Sequence, residues 1–416
     1  MPPATFPFQC LAALGSLSLA AILACSPTLP NTPSAQEARP PVLQGLDRSL
    51  ERPPEGSTRF TFIDTTPGGA TPAYLTCTGR DSSGRFCRLT ADGAFLPCTT
   101  ADNVVPYQDR LWCDYGIPFQ GQLSIDIPRA MRVDSGRAYV SLGKALYLRV
   151  DEASGGLVQP DPGNPTDPNR PLPFDWMEFA LDGSGFHGNT TCVDQFGLPM
   201  TLAVLGHDGA TRGPVGIVAA RAALVKAFRA AVPLPFRSLA QADGLRIVAP
   251  THGPLYGTGG AKDYYKTYVA AMWAKYRHEP LVLTPEEGTF TGRVDAQDRL
   301  VFRRPGDAAT YTIARPPTTT EVFLCDGVLA QGSSLEKVLG AQLAALLNRH
   351  LLETPLQWQR AAAYYRKDPS NRYARFWHEH SLGQRAYGFA YDDVNDQSPS
   401  LWVPDPWEIR VGFRAD

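Results

Sequence analysis

No charge of one sign is in excess: 39 Lys and Arg stand against 41 Asp and Glu in 416 residues, a formal net charge of -2. The signs are scattered, so the basic stripe of a nucleic-acid binder is missing and no nucleic-acid partner is expected. Cysteine is sparse and poorly spaced for a metal. Intervals of ten, eleven and fifteen residues between Cys77, Cys87, Cys98 and Cys113 do not fit zinc knuckles. A phosphate loop is lacking too, because Gly257-Thr-Gly-Gly-Ala-Lys262 has a misplaced first glycine and no Ser or Thr after its lysine. Long apolar runs are also missing: Leu11 to Ala24 falls short of the roughly 20 residues that cross a bilayer, and reads as a signal peptide over residues 1–24.

Cys25 follows Ile22-Leu23-Ala24 as a lipidated residue follows its cleavage site, although the segment ahead of the run has no Lys or Arg. The expectation is an exported chain, facing outward or periplasmic, that touches a membrane through a lipid on Cys25 and nothing else. Seven prolines between Ser26 and Thr58 make residues 25–58 an extended tether. In an exported protein the crowded Cys77, Cys87, Cys98 and Cys113 are expected to form two local disulfides, with Cys192 and Cys325 as a third pair.

Over residues 59–212 short alternating runs are broken by Gly, Pro, Asn and Asp. Arg59 to Ile63, Gln122 to Ile127, Arg137 to Ser141 and Ala145 to Val150 are examples, and they predict an antiparallel sandwich or barrel. Residues 213–385 mix helices with strands. Helices are expected over Gly216 to Ala231, Ala261 to Arg277 and Leu335 to Leu352, the last opened by the capping box Ser333-Ser-Leu-Glu336. Leu245 to Ala249, Thr289 to Val294 and Thr320 to Leu324 read as strands between them. Residues 386–416 return to strand character in Ala386 to Tyr391 and Ile409 to Phe413, which are expected to rejoin the first sheet.

The richest stretch runs from Asp175 to Pro199. Glu178 and Asp194, sixteen positions apart, each lie in an alternating run, and Leu181 to Gly188 between them holds three glycines. Two antiparallel strands joined by a loop follow. Alternation sends Met177, Phe179 and Leu181 to a core and turns Trp176 and Glu178 the other way, and it puts Thr190, Cys192 and Asp194 on one face. A Trp beside a carboxylate on an open face suits sugar binding, the indole under a pyranose ring and the acid at the leaving oxygen. Paired carboxyl groups flanking one bond are glycosidase equipment. Two acids on a hairpin also occur as solvated surface charges, so spacing alone does not decide.

Ordered motifs add to this. Glu178-Phe-Ala-Leu-Asp182 with Gly188 to Leu202, preceded by Asn164 to Asn169 and followed by Tyr364-Tyr-Arg366, Asn371 to Arg375 and Tyr387 to Val394, resembles glycoside hydrolase family 64, the β-1,3-glucanases related to thaumatin-like proteins. The likeness runs from about Phe60 to Phe413. It implies a mainly β fold with an α+β part: a thaumatin-like barrel or sandwich and a mixed α/β domain lining a wide groove. It implies Glu178 as general acid and Asp194 as general base of an inverting hydrolysis, β-1,3-glucan of the laminarin or curdlan type as partner, and no cofactor or metal. Inversion needs carboxyl groups roughly 6.5–9.5 Å apart, against about 5–5.5 Å for retention. A hairpin symmetric about Phe186 would set the two acids directly opposite, which favours retention unless a bulge or offset opens the gap.

Where relatives carry Thr and Asn, this chain has Ala180 and Asp182. An ionised Asp182 near Glu178 would raise the acid's pKa. Trp176, Asn189, Thr191, Gln195 and Asp393 are candidate sugar-binding residues, Asp393 from an acid-rich segment that lines or rims the groove in relatives, though its aspartates equally suit turn caps. His378 and His380 would share a face on a strand and diverge on a helix, and a buried or surface pair is preferred to a ligand set. The reading is a monomeric, exported β-1,3-glucanase. Its competitor is a surface glucan-binding lipoprotein of the same fold without turnover.

Overall fold

The computed structural model describes Val42, residues 52–253, Leu255 and residues 261–416. The expected signal peptide, Cys25, most of the tether and most of the 257–262 loop lie outside the described residues. The strands that frame the site are β1 (Ser57–Asp64), β2 (Pro72–Arg80), β3 (Gln122–Pro128), β4 (Val133–Leu142), β5 (Phe174–Asp182), β6 (Gly185–Thr190), β7 (Met200–Gly206), β8 (Thr211–Gly216), β9 (Leu401–Val403) and β10 (Pro406–Phe413). One sheet has the order β8-β7-β10-β1-β3; the other runs β9-β6-β5-β4-β2 and continues into shorter strands at Phe86–Leu89 and Phe95–Pro97.

Period-two alternation drives the two sheets together. Phe60 and Phe62 of β1 and Ile409 and Val411 of β10 meet Ala138 and Val140 of β4 and Met177 and Phe179 of β5 in one core. Phe60 lies edge-on to Phe179 at 5.4 Å and 74°, and Phe186 at 6.3 Å completes the cluster. Each such Phe, Ile, Val or Met side chain stabilises the fold by about 1.5–3 kcal/mol through burial. The result is a mainly β sandwich, with no closed barrel among the described residues. β10 lies parallel to β1 and antiparallel to β7, so the end of the chain fills the middle of the first sheet. Val42, inside the stretch expected as an extended tether, is 1% exposed and accepts a bond from Arg410 at 3.4 Å. The chain is therefore held to the fold at that residue.

The outer face of the second sheet is covered at one end by Tyr139, Phe174 and Trp176 under Leu146, Leu148 and Val150. Strand pairing in the expected Ala145 to Val150 strand is confined to Arg149–Val150, because the Asn169 side chain takes both backbone groups of Tyr147 at 2.7 and 2.9 Å.

A separate core holds the mixed part. Its helices include α1 (Arg221–Ala231), α2 (Lys266–His278), α3 (Thr319–Leu324), α4 (Ser334–Asn348) and α5 (Arg372–His380), packed with a sheet of four strands among the described residues. The expected strand at Thr320 to Leu324 is α3, because Thr318 and Glu321 form a capping box that starts a helix there. Ala386 to Tyr391 is not a strand either. It wraps the buried Asp392, which takes Arg349 Nη2 at 2.9 Å, His378 Nε2 at 3.0 Å and the Gly388 N–H at 2.9 Å. His380 stacks on Phe376 at 3.9 Å, so the His pair is divided by the helix, and no group of three or more metal-binding side chains gathers among the described residues.

The disulfide expectation is corrected as well. Cys77, Cys87, Cys98, Cys113 and Cys192 are free thiols, and Cys325 donates to the Val322 carbonyl at 3.6 Å. In the ladder Cys87 faces Gly79 rather than Cys77, and Cys113 donates to Asn103 at 3.2 Å. Burial, with the neighbouring thiol's charge, pushes Cys87 up to about 12.

Candidate active site

Beyond the aromatic cover, the outer face of the second sheet is left to polar side chains. Directly opposed residues in antiparallel strands share a face. Thr78 opposes Arg137, Arg137 opposes Glu178, and Glu178 opposes Asn189, so one row crosses β2, β4, β5 and β6. Met177, Phe179 and Leu181 point into the sandwich as alternation requires.

The register is not the symmetric one. Asp182 pairs with Gly185 across the two-residue turn Gly183-Ser184, which puts Asn189 and not Asp194 opposite the acid. β6 ends at Thr190, and the chain then crosses to the mixed part, carrying Asp194 with it. This crossing is tightly held. Cys192 binds the Tyr387 carbonyl with its N–H and the Tyr373 hydroxyl with its own carbonyl, at 2.9 and 2.6 Å, and the Asp194 carbonyl accepts from Ala249 at 2.9 Å. Asp175, 2% exposed, accepts from the N–H groups of Gly197 and Leu198 at 2.7 and 3.1 Å. A Cβ on Gly197 would meet the Phe174 carbonyl oxygen at 2.1 Å, so glycine is required there.

Arg137 joins the two acids. Its Nη2 lies 3.2 Å from Glu178 Oε1 and 3.5 Å from Asp194 Oδ2. Those oxygens are no farther apart than the two distances laid end to end, a limit that admits the about 5–5.5 Å of retention as well as the low end of the roughly 6.5–9.5 Å of inversion. The other Asp194 oxygen accepts from His252 Nε2 at 3.0 Å, and His252 Nδ1 faces Asp161 at 3.7 Å. Side chains of Glu178 and Asp194 stay 18% and 28% exposed.

The surroundings drive the two carboxyls apart. Burial, chiefly, and the negative charge of Asp194 raise the pKa of Glu178 against the pull of Arg137. Burial also pushes Asp194 upward more than any other single effect, yet the His252 hydrogen bond with the charges of Arg137 and His252 together outweigh it and lower the pKa. One group holds its proton longer than an ordinary carboxylic acid and the other gives it up sooner, which is the division that an acid and a base need.

The candidate sugar-binding residues fare unevenly. Asn189 lies beside Glu178, its side-chain oxygen buried and without a hydrogen-bond partner among the described residues. Trp176 is 2% exposed, wedged between Tyr139 and Phe174, and cannot be the open platform expected. Its ring instead stacks under the Arg137 guanidinium at 5.0 Å and orients it. Thr191 is 5% exposed, caps the Val193 N–H at 3.2 Å and faces a small internal cavity with Trp176, Tyr387 and Pro399. Gln195 is 1% exposed and donates to the Phe174 carbonyl at 2.9 Å; burial takes both from the open face. Asp393 is exposed, in the turn around Asp392. Asp182 is at the hairpin turn, its Oδ1 accepting from Ser184 N–H and Oγ, both at 2.6 Å, and its pKa is lowered; it does not act on Glu178 as expected.

Arg137 and His252 escaped the sequence reading. Arg137-Ala-Tyr-Val-Ser141 did carry a signal for the first, since Arg, Tyr and Ser alternate with apolar residues and so share a face. His252, 58 positions from Asp194, carried none.

Comparison with known proteins gives the family. The family model described as "Beta-1,3-glucanase", glycoside hydrolase family 64, matches residues 57–412. The chain belongs to that family. A glucan endo-1,3-beta-glucosidase of Cellulosimicrobium cellulans is 30% identical over 342 residues, covering 79% of this chain and 60% of the relative; an Arthrobacter sp. enzyme of the same name gives the same figures. The chain thus spans about 60% of the length of these curated relatives. Among solved structures, a β-1,3-glucanase domain of Clostridium beijerinckii superposes with a TM-score of 0.78 at 30% identity, over 86% of this chain and 98% of that one. A laminaripentaose-producing β-1,3-glucanase of Paenibacillus barengoltzii in complex with laminarihexaose gives 0.70 at 27% identity, over 91% and 80%.

Proposed function

We propose that this protein hydrolyses β-1,3-glucan with inversion, Glu178 protonating the leaving glycosidic oxygen and Asp194 drawing a proton from the attacking water. The observation that carries the reading is the pair of partly exposed carboxyl groups sharing one guanidinium, their pKa values displaced in opposite directions. Asp194 sits beyond the strand rather than opposite Glu178, so the directly opposed pairing that would favour retention is not the one formed. Arg137 stands in this account as the group that orients both acids. The thaumatin-like architecture, a groove between the two parts, a monomeric state, and export with a lipid at Cys25 belong to the same proposal.

Incubation of the protein with laminarin and curdlan, beside Glu178→Gln, tests it. The expected result is oligosaccharide release that falls by about 10²–10⁴-fold in the variant, the usual contribution of a general acid, with an unchanged melting temperature. Glucan bound without any release by the unsubstituted protein would replace the enzyme by a binding protein.

A further inference from the structure

Two residues along β5 from Glu178, the same open face carries a second row. Ala180 opposes His187, and His187 opposes Trp402 of β9. Ala180 adds only a methyl group, so this part of the face is low, and at its edge Trp402 is 46% exposed. The other six tryptophans, Trp112, Trp176, Trp273, Trp358, Trp377 and Trp407, are 8% exposed or less.

An exposed indole normally rotates. Here it is held: one ring face stacks on His187 at 6.2 Å and 27°, and the indole N–H donates to the Ser184 carbonyl at 3.1 Å. His187 is fixed in turn by Ser184 Oγ at 2.8 Å, and Ser184 by Asp182 at 2.6 Å. The turn of the acid-bearing hairpin thus locks a flat apolar surface in one orientation, which lowers the entropy lost when something binds to it. Two strand spacings and one two-residue step put it roughly 12 Å from Glu178, a few sugar units along a bound chain.

We propose that Trp402, braced by His187, is a stacking platform for a pyranose ring of a β-glucan chain, several units from the bond that is cut. The inference rests on the glucanase reading and names a binding position that reading does not contain. The ring presents its C–H face to the indole, and longer oligosaccharides gain affinity that shorter ones do not.

Acrylamide quenching of tryptophan fluorescence in the full-length Glu178→Gln protein reads this directly, because Trp402 is the indole that solvent reaches. Saturating laminarihexaose is expected to reduce quenching to the level of the buried indoles. Trp402→Ala is expected to weaken laminarihexaose binding about tenfold while leaving laminaritriose binding unchanged, and Trp402→Phe to restore most of the loss. Undiminished quenching in the saturated complex, or hexaose binding unchanged by Trp402→Ala, overturns the platform and leaves the glucanase reading intact. Absence of saturable binding of either oligosaccharide overturns both.

Discussion

Two clusters in this molecule use the same ingredients, an arginine, carboxylate and histidine, to opposite ends. In the mixed part Arg349 and Asp392 are 0% exposed at their side chains, and Asp392 receives Arg349, His378 and the Gly388 N–H. His378 has an acceptor at each ring nitrogen, Asp392 on one and the Gln384 carbonyl at 2.8 Å on the other, so it is held as an imidazolium. Two cations converge on one carboxylate that is shut off from water. On the open face of the sheet one guanidinium serves two carboxyls, at 3.2 and 3.5 Å, and both stay partly exposed. One cluster closes its carboxylate off from water; the other keeps two carboxyls within reach of it.

The largest effect that tests this contrast is on the closed cluster. Arg349→Met leaves Asp392 buried without one of its two counter-charges, and chemical unfolding is expected to show a loss of about 3–5 kcal/mol, with the folded fraction retaining its catalytic pH limbs. The closed cluster also has a pH signature. Burial opposes the charge on Asp392, but His378 and Arg349 outweigh it and lower its pKa, so its stabilisation is present above the ordinary carboxylate range and is lost as pH falls through the folded value. His378 is raised by Asp392 against its own burial, so its stabilisation is present below the ordinary histidine value and lost as pH rises through the folded one. Unfolding midpoints are expected to peak between roughly pH 4 and 6.5.

A smaller, differently shaped effect belongs to the open cluster. Arg137 lowers both Glu178 and Asp194, so Arg137→Gln is expected to move both limbs of the kcat/KM profile to higher pH, while Arg349→Met moves neither. Limbs that stay in place would deny Arg137 its electrostatic role. Least of all should follow from Asp182→Asn. That side chain caps a turn, and the variant is expected to change stability by no more than about 0.5 kcal/mol and to leave both limbs where they are.

The sequence disclosed faces better than registers. Alternation in Met177, Phe179 and Leu181 set the orientation of Glu178, and the Asp182-Gly-Ser-Gly185 turn set the hairpin, but whether that loop held two residues or more decided what opposed the acid. Trp176 lay on the face that alternation gave it; what covers that face comes from Leu146, Leu148 and Val150, a tertiary fact that no local pattern carries. Ala386 to Tyr391 has strand composition, yet the bonds around Asp392 override it. The motifs at Tyr364, Asn371 and Asp392 that mark the family serve the closed cluster: the Tyr364 ring lies 4.8 Å from the Arg349 guanidinium, and Asn371 donates to Asn348 at 2.9 Å.

The most direct test of the acid and base assignment is the anomeric configuration of the first sugar released, followed by proton NMR during early turnover of laminarin. An α reducing end appearing before mutarotation is the predicted result, since water attacks from the Asp194 side in a single displacement. A β reducing end would mean a covalent intermediate, and would contradict the roles of Glu178 as general acid and Asp194 as general base.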